Sequence, residues 1–229
     1  MSTRNAHCRC AFAKAVNDRV SDVLRRRDGW WGIGFLVLLT LQASMVSVPT
    51  AEDPAGHIQA FYLAHGTVIV IAQAIGALAL IPFVMFARAL DRRARTSPEG
   101  ARSRIMSATV LIVIVQLVTN VVPILIVTMN DAAAETARSW TRVEDVADAI
   151  LFACLAFFAV AATRAKPRWI IAVGWVSAAL MLVHAAVSPF GESALQVVAP
   201  LSFVVLVLVL SIRLLVGPVA KREPDAPSA

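Results

Sequence analysis

Uninterrupted apolar runs, rather than alternation, dominate this chain. Six of them can cross a bilayer, which takes about 20 residues and tolerates roughly 17–25: Trp31–Val48, Phe61–Ala87, Ile105–Met129, Val146–Thr163, Trp169–Val187 and Leu195–Val216. The first and fourth are short for a span, and the second is long enough to tilt or protrude. Continuous runs exclude a transmembrane barrel, whose strands alternate. The connections, about 5 to 17 residues, leave no room for a soluble domain. The pattern predicts an all-α polytopic transmembrane bundle of six helices.

Two weaker patterns frame the spans. In the first 29 residues Phe12, Val16, Val20, Val23 and Leu24 recur at helical spacing, opposite Lys14, Asp18, Arg25 and Arg26. That is an amphipathic helix lying on the membrane surface and leading into interfacial Trp30 and Trp31. The chain so divides into an arm (1–29), a membrane domain (30–217) and a tail (218–229) expected to be disordered. Before the fourth span, Asn130 and Asp131 start a short helix-forming run that ends at Trp140. Thr141-x-x-Glu144 then reads as a capping box opening the span, with Asp145 favouring the same helix N-terminus.

Composition agrees. Apolar residues make up 59% of the 229 and charged ones 16%, with a mean hydropathy of +0.73. A soluble domain is usually about half apolar. Charge adds an orientation. Of 21 Lys and Arg, 19 fall in the arm, the tail region and the connections after the second and fourth spans; only Arg138 and Arg142 lie on the other side. Basic segments stay cytoplasmic, so both termini are expected inside, in a bacterial inner membrane. The +6 net charge then reflects topology and anionic headgroups, and no nucleic-acid partner is expected.

Polar groups inside a span are costly and call for a partner or a purpose. Here they lie in the outer half or near the midplane: Tyr62 and His65 in the outer part of the second span and Gln73 near its midplane, Gln116 near the midplane of the third with Asn120 above it, Asp148 on the fourth, His184 on the fifth and Gln196 at the outer start of the sixth. Gln116 and Asn120 are stacked on one helix face. Tyr62, His65 or Gly66, Ile69 and Gln73 share a stripe. Pro123 and Pro200 free the carbonyls of Thr119 and Gln196, beside positions already polar. These residues predict an outer polar pocket, with His65, Asn120, Asp148 and His184 facing one interhelical space. Asp148 and His184 form the candidate acid–base pair. His7-Cys8-x-Cys10 lacks a second ligand pair, so free thiols are expected there, and no metal or cofactor. No phosphate loop, HExxH or GxSxG is present.

The layout resembles a family of six-helix bacterial membrane proteins of unknown function, on a basic connection, an interfacial segment before the fourth span, and KPRWIIAVG (166–174) entering the fifth. The resemblance implies the fold and no activity. Ceramidase-like membrane hydrolases also cluster histidines and an aspartate in the bilayer, but their paired HxxxH spacing is missing here. Three readings follow. The first is a membrane protein that binds or passes a small amphiphilic or lipid-like ligand through the outer pocket. The second is an intramembrane enzyme acting on a lipid or isoprenoid through Asp148 and His184. The third is a structural subunit of a membrane complex. Expected partners are membrane lipids, a lipid-like small molecule and a homo- or hetero-oligomeric neighbour.

Overall fold

The structure, a computed structural model, describes residues 28–95, 104–129, 133–164, 166–187 and 195–216. The amphipathic stripe from Phe12 to Leu24, the Cys8 and Cys10 thiols, Asn130 and Asp131, and the tail lie outside the described residues. Those described form helices and short connections, with no strand among them. The helices are α1 (28–45), α2 (Ala55–Arg95), α3 (Ile105–Thr128), α4 (Ala134–Thr163), α5 (Arg168–Val187) and α6 (Leu195–Val216). Five of them, α2 to α6, are long and apolar enough to cross a membrane. α1 is shorter and carries Thr40, Gln42 and Ser44 in its last turns. The chain reads as a multi-pass membrane protein.

Length explains where helices protrude. α2 has 41 residues, about 60 Å at 1.5 Å per residue, twice the roughly 30 Å hydrocarbon core. α4 corrects one expectation. It starts at Ala134 and runs unbroken to Thr163, with no side-chain cap at Ala133. Thr141 is buried mid-helix, its hydroxyl donating to the Ala137 carbonyl at 3.1 Å. A capping box needs the preceding turn to end. The segment from Ala134 to Trp140 contains neither Gly nor Pro and is made of tolerable helix formers, so the helix simply continues.

Both surfaces of the bundle are apolar. Val110, Ile114, Leu117 and Val121 face outward on α3, and Trp175, Val176, Leu182 and Val183 do so on α5. Inside, the rings of Phe35, Phe83, Phe158 and Phe203 form a cluster, with centroid separations of 5.0 Å for Phe35–Phe83 and 5.3 Å for Phe83–Phe158. Lipid is as apolar as this core, so association depends on close packing and small residues. Gly174 lets α5 meet α4 where a Cβ would land on the Thr163 side chain, and Gly32 lets α1 meet Ser211 of α6 and Phe86 of α2. α1 thereby closes the ring between α6 and α2.

Consecutive helices run in opposite directions. The start of α1 meets the ends of α2 and α6: Arg92 pairs with Asp28 at 3.0 Å, and Arg93 donates to the Leu214 carbonyl at 3.0 Å. At this basic end Asp91, buried, accepts from Arg95 at 2.8 Å. Lys166, half-buried in the α4–α5 connection, has its ammonium held below the ordinary lysine range by burial and by the charges of Arg213 and Arg93. The folded chain therefore binds fewer protons than the unfolded one between that lowered value and the ordinary one, about 10.4. Stability rises with pH across this window, and the penalty is complete below it. Lys166→Gln is expected to raise the melting temperature near neutral pH and to remove the alkaline rise. Superimposable pH–melting curves for the two proteins would refute this.

Candidate functional site

The opposite end of the bundle carries Glu52, Asp53, Glu135, Glu144, Asp145 and Asp148, against Arg138 and Arg142. Here α4 presents a continuous polar ladder at helical spacing: Arg138, Thr141, Glu144 and Asp145, then Asp148, before turning apolar at Leu151. Its upper rungs hold the α1–α2 connection. The Ala51 amide donates to Asp145 at 3.1 Å, and Arg138 donates to the Ala51 carbonyl at 2.9 Å. Both backbone groups of one buried residue are thus captured by α4, as buried backbone groups require. The Tyr62 hydroxyl, buried, donates to Glu144 at 3.4 Å and ties α2 to the same ladder.

The lowest rung opens onto a cavity of about 290 Å3 bordered by α1, α2, α3, α4 and α6. Its walls are mainly apolar, with the aromatic rings of Phe35, Phe83, Phe152 and Phe203. Four polar side chains reach it: Gln42, Gln73, Gln116 and Asp148. Gln42 donates to Gln73 at 3.4 Å and lies over Gly76, where a Cβ would displace its amide. Gln116 donates to the Thr119 hydroxyl at 3.0 Å and to the Asn120 oxygen at 3.1 Å, both on its own helix. Asp148 is half-buried and makes no hydrogen bond or ion pair among the described residues.

The residues singled out from sequence divide accordingly. Gln73, Gln116 and Asp148 come together at the cavity. Asn120 stands behind Gln116, buried, its amide nitrogen without a partner among the described residues. Tyr62 sits above, on the ladder. Gln196 is half-buried one turn before Pro200, which borders the cavity; Gln196 itself does not. The expected convergence of His65, Asn120, Asp148 and His184 does not form. His65 is exposed, with its ring stacked on Phe61 at 4.6 Å and Nδ1 against the Phe61 carbonyl at 3.1 Å. The buried stripe of α2 passes instead through Gly66, which packs on Val127; its neighbour is turned about 100° away. His184 is buried, its Nδ1 without a partner among the described residues, and the edge of its ring meets Phe152 at a centroid distance of 4.3 Å. Phe152 borders the cavity and His184 does not.

Two contributors escaped the sequence reading. Gln42 carries a signal, the one amide in its mainly apolar block, and belongs with Gln73 and Gln116. Glu144 was read as a cap, yet it lies one turn from Asp148 on the same helix face. Among the described residues no group of three or more His, Cys, Asp or Glu could hold a metal ion. No family model, curated protein or solved structure matches this chain. The chemistry of the site is therefore read from its geometry alone.

Proposed function

We propose that this is a multi-pass membrane protein, all six helices crossing, that binds or passes a small amphiphilic ligand through the cavity below the acidic end. The observation that carries this reading is the cavity itself: about 290 Å3 with three amides and an unpartnered carboxyl in apolar walls. Small-molecule sites have this character, apolar with a few placed polar groups, at volumes from about 300 Å3 upward. An acid–base enzyme would need His184 paired with Asp148; His184 does not border the cavity and makes no ion pair with Asp148 among the described residues, which favours the binding reading. The residues that would contact the ligand are Gln42, Gln73, Gln116 and Asp148, with Asn120 supporting Gln116.

Ala79, a small buried residue on the cavity wall, provides the test. Native mass spectrometry of protein released from its own membrane should find a small-molecule adduct on the wild type and none on Ala79→Phe. Equal adducts on both proteins would rule the cavity out as their site.

For orientation we propose that both termini are cytoplasmic and the acidic end faces outward, because 19 of 21 basic residues fall on the other side. An impermeant thiol reagent applied to intact cells should label Asp53→Cys and Glu135→Cys and spare Arg95→Cys. Labelling of the Arg95 site would invert the topology.

A further inference from the structure

The cavity walls narrow the ligand further, an inference that rests on the binding-site reading above. We propose that the cavity selects a cation: a small amphiphilic amine or quaternary ammonium, its charged head at Asp148 and its apolar part among the phenylalanines. Among the described residues Asp148 is the one ionisable side chain on the wall, which carries no Lys, Arg or His. It has no partner among the described residues, although a carboxyl removed from water is costly to leave unmatched. A cationic ligand supplies that match. A neutral ligand would leave the acid as it is, and an anionic one would meet like charge with only amide donors to offset it.

Two further features point the same way. Phe35, Phe83, Phe152 and Phe203 border the space, and aromatic faces attract ammonium groups most strongly where water is displaced. The acidic end of the bundle is close by, with Glu144 and Asp145 one turn above Asp148 on α4 and Glu52 and Asp53 on the adjoining α1–α2 connection. Arg138 and Arg142 offset only two of the six acidic charges at this end among the described residues. Acidic groups around a low-dielectric opening raise the local concentration of cations and repel anions. The volume limits the ligand to a compact molecule, since 290 Å3 lies at the foot of the range for small-molecule sites, roughly 300–1,000 Å3.

The full-length protein in nanodiscs of zwitterionic lipid, with empty discs subtracted, separates charge from shape. The probes are phenyltrimethylammonium and its neutral isostere tert-butylbenzene, measured by equilibrium dialysis. The wild type should bind the cation at least tenfold more tightly than the isostere. Asp148→Asn should abolish that preference while leaving tert-butylbenzene affinity within twofold, and Asp148→Glu should keep it. Equal binding of both probes to the wild type, weakened for both by Ala79→Phe, would overturn cation selection and leave the cavity reading standing. If neither probe binds the wild type, both readings fall. The wild-type comparison alone decides the question should Asp148→Asn not fold.

Discussion

Truncating Phe158 to alanine is expected to destabilise the bundle by about 2–3 kcal/mol, with the loss arising almost wholly from the void. Phe158 is fully buried, with its ring 5.3 Å from Phe83 and 6.3 Å from Phe203 between centroids. In water-soluble cores such a truncation costs about 3–5 kcal/mol, partly because the exposed ring is poorly solvated in the unfolded chain. Here separated helices meet lipid rather than water, so that transfer contribution largely drops out. A void of roughly 100 Å3 at about 24 cal/mol per Å3 leaves about 2.4 kcal/mol. Phe83 provides the contrast. It is equally buried but borders the existing cavity, so Phe83→Ala enlarges a space that lipid or ligand can refill. It should cost about half as much on the same void scale. Titration with SDS in mixed micelles, followed by loss of helicity, measures both. Equal losses would mean that the space beside Phe83 cannot be refilled.

The helices were legible because each apolar block is bounded by charge or by Pro and Gly, and bilayer thickness sets their minimum length. The ends were less so. α2 runs past its apolar block on both sides, and α4 begins twelve residues before Val146 (its first apolar-block residue), because nothing in those flanks stops a helix. Facing was harder still. On α3, Ile112, Val122 and Ile126 are buried while Ile114 and Val121 are exposed, and the residue types are the same. In a bilayer the contrast between core and surrounding solvent nearly vanishes, so apolar periodicity cannot say which neighbours a helix face meets. Polar residues retain that information. Gln73, Gln116 and Asp148, singled out because each is a polar residue in an apolar run, meet at one cavity. Which of two adjacent residues faced inward, His65 or Gly66, required the packing of Gly66 against Val127. That His184 packs on Phe152 and does not border the cavity likewise required the packing, since Phe152 is an ordinary core residue in the sequence.

Asp148 and Asp91 should respond to leucine substitution in opposite ways, and the difference tests whether Asp148 serves structure or ligand. Asp91 is buried and receives the Arg95 guanidinium at 2.8 Å, so Asp91→Leu removes a charge-assisted hydrogen bond. That should cost about 1.5–3 kcal/mol, discounted toward the lower figure because Arg95 is itself largely exposed. Asp148 has no such bond to lose. Its half-buried carboxyl lies against mainly apolar walls without a protein partner among the described residues, and leucine, close to it in size, would pack against Leu151, Phe152 and Leu155 on the same wall. Replacing an unmatched polar group by a well-packed apolar one is commonly neutral or stabilising, here by about 0.5–2 kcal/mol. Asp148→Leu is therefore expected to melt at or above the wild-type temperature in nanodiscs and to lose binding of phenyltrimethylammonium. A functional residue that weakens the fold shows this inverse relation, because the site keeps a group that the bundle would be more stable without. Should Asp148→Leu instead melt as low as Asp91→Leu, the carboxyl is a structural partner, and the cavity loses the group on which its recognition of a ligand depends.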